Sequence, residues 1–138
     1  MLTIKKQPKK IILIEKDQRF CKLLREKFAH QEVIEIHNKD ILEYTFNETL
    51  LKNSIVFGNL PYNISVPFIT SLIEKNQPVK WDSLTLTVQK EVADRILAKP
   101  YTKEYGRLSI LSNWRLEIKK HFDISNNSFF PKPKINST

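Results

Sequence analysis

Two glycines in 138 residues, Gly58 and Gly106, are far fewer than the ~7% of an average protein. They stand 48 positions apart, so this sequence holds no glycine-rich loop to cradle a phosphate or nucleotide. A single cysteine, Cys21, excludes an internal disulfide and makes the cytosol the default compartment. No apolar run approaches the ~20 residues of a bilayer-spanning helix. The opening residues, MLTIKKQPKK, lack the apolar stretch of a secretory signal. His30, His37 and His121 are scattered without metal-ligand spacing, so no metal site is expected.

Acidic charge is also short. Twenty-three lysines and arginines against 15 aspartates and glutamates leave a net charge of +8. Such an excess suits a polyanionic partner, because each neutralised phosphate releases counterions. The same charge is compatible with a basic protein whose lysines are merely solvated. Hydrophobic residues make up 41% of the chain, too many for a disordered polymer and enough for the core of one domain spanning residues 1–138.

The apolar pattern alternates between short runs and helical periods. IILI (Ile11 to Ile14) reads as a buried strand, followed by Asp17 as a helix N-cap. Phe20, Leu23, Leu24 and Phe28 then recur at helical spacing, with Cys21 near that face. Val33 to His37 predicts a second strand and NSIVFGN a third. Ser65 is expected to cap a helix that begins near Val66 and Pro67, with Phe68, Ile69, Leu72 and Ile73 inward and Pro78 beyond its end. Ser83 to Val88 predicts a fourth strand. QKEVADRILAK predicts a helix with Val92, Ala93, Ile96 and Leu97 inward, stopped by Pro100. LSILSNW reads as a short helix, RLEIKKHFDI as an alternating strand, and SFFPKPKINST as a loop entering an edge strand. Strands alternating with helices imply an α/β layer architecture with a mostly parallel sheet, in which ligands bind at the carboxyl ends of strands.

The chemistry-bearing residues fall at those ends. Glu15 closes the first strand. It could accept both hydroxyl hydrogens of a ribose or simply be a surface acid beside a lysine. Asp40 could accept from an adenine amine, with Ile41 packed on the ring, or serve as a turn residue. Asn59-Leu60-Pro61-Tyr62 is more distinctive. An adenine amine is a poor nucleophile because its lone pair is delocalised into the ring. Acceptors on both amine hydrogens favour the tetrahedral, nucleophilic form, and no strong general base is then needed. The Asn59 side-chain oxygen supplies one acceptor, and the Leu60 or Pro61 carbonyl the other. Tyr62 offers a stacking face. The alternative is an ordinary strand-to-helix turn. Phe129 and Phe130, ahead of PKPK, could clamp the other face of an extruded base or plug the sheet edge.

Taken together, FGNLPYNIS, LTVQKEVADRILAKP, YGRLSIL and FFPKPKINS resemble the KsgA-type ribosomal RNA small-subunit adenine dimethyltransferases over nearly the whole chain. The resemblance implies a Rossmann-like class I methyltransferase fold with helices on both faces of the sheet. It implies S-adenosylmethionine as cofactor, and dimethylation of adenines in small-subunit rRNA of the pre-30S ribosomal particle by a cytoplasmic monomer. By position, Glu15 resembles the ribose-binding acid, Asp40 and Ile41 the contact to the cofactor's adenine, and Asn59 to Tyr62 the catalytic motif, Asn59 also touching the cofactor. Phe129 resembles the aromatic that stacks on the target base. The family's glycine-rich loop and first strand, and its C-terminal helical domain, have no counterpart here, so the expectation is an impaired fragment of such an enzyme. Two other functions remain open on sequence: a non-catalytic RNA-binding remnant, and a large-subunit rRNA methyltransferase conferring antibiotic resistance.

Overall fold

The computed structural model describes residues 8–46, 53–74, 81–128 and 137–138. It divides into two compact units, Met1–Thr45 and Phe46–Thr138.

The first unit is a β-α-β turn of chain. Strands β1 (Ile11–Glu15) and β2 (Ile34–Asn38) pair in parallel, with Ile11 opposite Ile34 and Glu15 opposite Asn38. Helix α1 (Gln18–Lys27) connects them. Asp17 caps it as expected, its Oδ1 accepting from the Arg19 amide at 2.8 Å while Arg25 and Lys27 occupy the last turn, where cations suit the helix dipole. The inward face differs from the one expected. Cys21 is fully buried, and Leu24 and Phe28 are half-buried, whereas Phe20 and Leu23 are 55% and 58% exposed. A helix lying on two strands presents a narrow seam, here positions 21, 24 and 28. Phe20 and Leu23 fall about 100° away from Cys21 and Leu24, outside that seam. The residues of β1 are likewise half-buried throughout rather than enclosed on both faces.

The second unit begins with another parallel crossover. Strand β3 (Ile55–Asn59) pairs with β4 (Ser83–Thr87), placing Asn59 opposite Thr87. Helix α2 (Tyr62–Glu74) follows β3, and helices α3 (Lys90–Leu97) and α4 (Arg107–Arg115) follow β4. Ile69 and Ile73 of α2, Val88, then Val92, Ala93 and Ile96 of α3 and Leu108 of α4 form one buried cluster, with Leu86, Leu116 and Ile118 packed against it. The inward positions expected for α2 are all buried. In α3, Val92, Ala93 and Ile96 are buried and Leu97 is half-buried.

Two further expectations are corrected. Helix α2 starts at Tyr62, not near Val66, so Ser65 is not its cap. Ser65 is fully buried inside the helix and donates from Oγ to the Pro61 carbonyl at 3.2 Å. Pro67 therefore sits past the first turn. Its missing N–H leaves the carbonyl of Asn63 without a helical partner, tolerable because Asn63 is exposed. Strand β3 is open on one side, where Ile55 and Phe57 are 61% and 59% exposed. Last, RLEIKKHFDI forms no strand among the described residues. Only Ile124 makes a bridge, to Ser137. The alternation is nonetheless real, with Leu116 and Ile118 packing on the core and Glu117 and Lys119 exposed. An alternating pattern becomes a strand only when a ladder partner is present.

Candidate active site

In the first unit the carboxyl ends of β1 and β2 gather a small polar cluster. Glu15 is half-buried, and its Oε1 accepts from the Asp17 amide at 2.8 Å. Its other carboxylate oxygen accepts no hydrogen bond among the described residues. The main-chain oxygen of Glu15 accepts from the Asn38 side chain at 3.0 Å and from the Lys39 amide at 3.1 Å, which fixes the strand end. Asn38 also donates to the Lys16 carbonyl at 2.9 Å. Asp40 heads the turn that contains Ile41. Its Oδ1 accepts from the Leu42 amide at 2.9 Å and its Oδ2 from Lys16 Nζ at 2.7 Å. Lys16 beside it, and then the Leu42 amide, hold the Asp40 carboxyl below the usual carboxylate range, and Asp40 in turn raises Lys16.

Asp40 thus heads a turn, one of the two roles expected for it, and it is also an ionised acceptor whose partner, Lys16, is largely exposed. Two oxygens offer about four lone-pair sites, so two are still open among the described residues. Glu15 and Asp40 together form an acceptor set suited to hydroxyl and amine hydrogens, which fits the ribose and adenine of a nucleoside cofactor. Lys16 and Asn38 were not singled out from the sequence. Only a register pairing Glu15 with Asn38 could have shown that the asparagine steadies the acid.

Asp17 carries the largest electrostatic effect in this unit. The Arg19 side chain, and then its amide, lower the Asp17 carboxyl from an ordinary 3.8 to about 2. Its folded-state value is depressed, so the stabilisation is present above about pH 4 and is lost as pH falls toward 2. Urea unfolding midpoints measured from pH 5 to pH 2 are expected to fall over that window. Asp17→Asn keeps the cap but cannot titrate, and is expected to flatten this part of the profile.

In the second unit Asn59 is the last residue of β3, and its side chain is exposed. Leu60 and Pro61 carry the chain from strand to helix, and Tyr62 is the first residue of α2. The two backbone acceptors left open by the sequence differ in this structure. The Pro61 carbonyl is turned into the helix, accepting from the Ile64 amide at 3.1 Å and from Ser65 Oγ at 3.2 Å. The Leu60 carbonyl accepts no hydrogen bond among the described residues. Of the two backbone candidates, the Leu60 carbonyl is therefore the one left open among the described residues, next to the exposed Asn59. Gly58 stands just before them, where an added Cβ would lie 2.7 Å from Leu86 Cδ2. A side chain at that position would push on the β4 neighbour that backs the turn.

Tyr62 is half-buried, and its hydroxyl lies 2.8 Å from the Oγ of Ser137. Ser137 is a contact the sequence reading missed, 75 residues away in the chain. Phe129 and Phe130 lie outside the described residues.

Residues 2–138 match the family model described as ribosomal RNA adenine dimethylase. The chain is 47% identical over 136 residues to ribosomal RNA small subunit methyltransferase A of Pelagibacter ubique, covering 98% of this chain and 51% of that protein. It is 44% identical to the protein of the same name from Wolbachia of Drosophila simulans, covering 95% of this chain and 48% of the relative. It thus spans about half the length of the curated relatives it matches. Among solved structures, a dimethyladenosine transferase from Plasmodium falciparum superposes with a TM-score of 0.81 at 29% identity, over 94% of this chain and 46% of that one. The 23S rRNA methyltransferase ErmE superposes with a TM-score of 0.73 at 27% identity, over 95% of this chain and 50% of its own.

Proposed function

The chain belongs to the ribosomal RNA adenine dimethylase family, and from that premise we propose that the protein transfers methyl groups from S-adenosylmethionine to the exocyclic amines of adenines in small-subunit rRNA, within the pre-30S particle. The observation that carries this reading is the acceptor pair of Asn59 and Leu60 at the carboxyl end of β3, set in a family-matching sequence. The names of the relatives, small subunit methyltransferases at 47% and 44% identity, favour the small-subunit substrate over the large-subunit one suggested by the likeness to ErmE at 27%.

The roles follow from the chemistry of the side chains. Glu15 would hold the ribose of the cofactor through its free carboxylate oxygen, and Asp40 with Ile41 its adenine. The cofactor, when bound, would supply an electrophilic methyl group on a sulfonium, the carbon–sulfur bond breaking as the carbon–nitrogen bond forms and a neutral thioether leaving. The Asn59 oxygen and the Leu60 carbonyl each accept one hydrogen of the target amine, drawing its lone pair out of conjugation and toward the incoming methyl. As the new C–N bond forms, positive charge grows on the nitrogen, and the same two acceptors stabilise it. A proton then leaves to solvent, restoring a neutral methylated amine. Tyr62 gives the base a face to stack on, and the same role is assigned to Phe129 from the family resemblance alone. The net charge of +8 favours approach to the phosphate backbone, and binding to rRNA should weaken steeply with added salt.

The test is transfer of labelled methyl groups to 30S particles that lack the dimethylated adenines. Label is expected in adenines of the small-subunit rRNA, mapped by reverse-transcription stops. Label in large-subunit rRNA would move the reading to the ErmE-like substrate. Tight, salt-sensitive rRNA binding with no label would replace it with the non-catalytic RNA binder.

A further inference from the structure

Resting on the reading of Tyr62 as the stacking face, we propose that Ser137 is a positioning residue that fixes the plane of that ring. Tyr62 is held at its near end by the backbone of α2, where it is the first residue. Its far end is held by the 2.8 Å hydrogen bond to Ser137 Oγ. Two fixed points leave the ring little freedom to swing about its side-chain torsions. An aromatic already oriented before the base arrives loses less conformational freedom on stacking.

Ser137 is built as an anchor. It is completely buried. Its amide donates to the Ile124 carbonyl at 3.1 Å and its carbonyl accepts from the Ile124 amide at 2.8 Å, and it forms a second antiparallel bridge to Gln89. The neighbouring Thr138 exchanges two hydrogen bonds with Val88, at 2.9 and 2.8 Å. The serine backbone is thus gripped from two sides, just beyond the end of β4, and only its hydroxyl is left to act. That hydroxyl meets the phenol, either oxygen serving as the donor, and the contact tethers the far end of the ring.

The experiment removes the contact from each side. Tyr62→Phe keeps the ring and deletes the hydroxyl, while Ser137→Ala keeps the buried volume nearly unchanged. Each is expected to lower kcat for adenine methylation about fivefold, the effect of one neutral hydrogen bond, with KM for RNA little changed. The double variant is expected to be no slower than either single one. Independently of turnover, protein labelled with 13C at the tyrosine Cζ carbons is expected to show the Tyr62 resonance, identified by its loss in Tyr62→Phe, displaced in Ser137→Ala. An unmoved resonance, or a double variant about 25-fold slower through multiplied effects, would overturn the proposal. Should the unmodified protein methylate no RNA, the functional reading fails. The Cζ displacement, with non-additivity of the urea midpoints of the three variants, then decides the contact alone.

Discussion

Asn59→Ala is expected to slow methyl transfer to adenine by about 100- to 1,000-fold, the usual consequence of deleting one group aimed at charge that develops in the transition state. The side chain stands exposed at the end of β3 and supports no packing, so the fold should register the change by less than about 0.5 kcal/mol. The loss is therefore expected in single-turnover rate, with the thermal midpoint held. The neighbouring Leu60 carbonyl stays in place, which is why the loss stops short of complete inactivity. Asn59→Asp retains an acceptor and is expected to recover part of the rate. Near-normal turnover in Asn59→Ala would remove the residue from the mechanism.

The second large effect concerns the frame behind the turn. Ile73, on the last turn of α2, is 1% exposed and belongs to the cluster shared by α2, α3 and α4. Truncating it to alanine is expected to cost about 2–5 kcal/mol, from lost burial and the cavity left behind. For a chain of this length that corresponds to a thermal midpoint lower by roughly 10 °C. Ile73→Val, which removes one methylene, should cost about 0.5–1.5 kcal/mol. Leu23→Ala is the informative contrast. The apolar period placed Leu23 in a core, yet it is 58% exposed, so its removal should change stability by under about 0.5 kcal/mol. Urea unfolding of the three variants would grade the core directly.

Element type was readable from sequence wherever period and punctuation agreed. The runs IILI, EIH and IVFG became strands and QKEVADRIL a helix, because branched apolar runs and a 3.6-residue repeat each suit one backbone geometry. The start of α2 was misjudged because Ser65 and Pro67 together imitate a helix entrance, whereas the turn at Pro61 opens the helix four residues earlier than Val66. The face of α1 was misjudged because four large apolar residues define a wide stripe but only a seam of it is covered. Of the site, strand-end acids and the Asn59 motif were legible as residue types at expected places. Lys16, Asn38 and Ser137 were not, since each acts through a partner set by pairing register rather than by proximity in sequence.

The tie between Tyr62 and Ser137 also bears on when the site is finished. It closes a loop of 75 residues, whose entropy cost is on the order of 4 kcal/mol apart from a constant. Contacts within a β-α-β crossover are far more local and form earlier. At ordinary synthesis rates of ~5–20 residues per second, roughly 4–15 s pass between making the tyrosine and making the serine. The ring is therefore among the first parts of the second unit to be translated and among the last to be locked. A nascent chain stalled between the two would carry the Asn-Leu-Pro-Tyr turn with its aromatic face still unset.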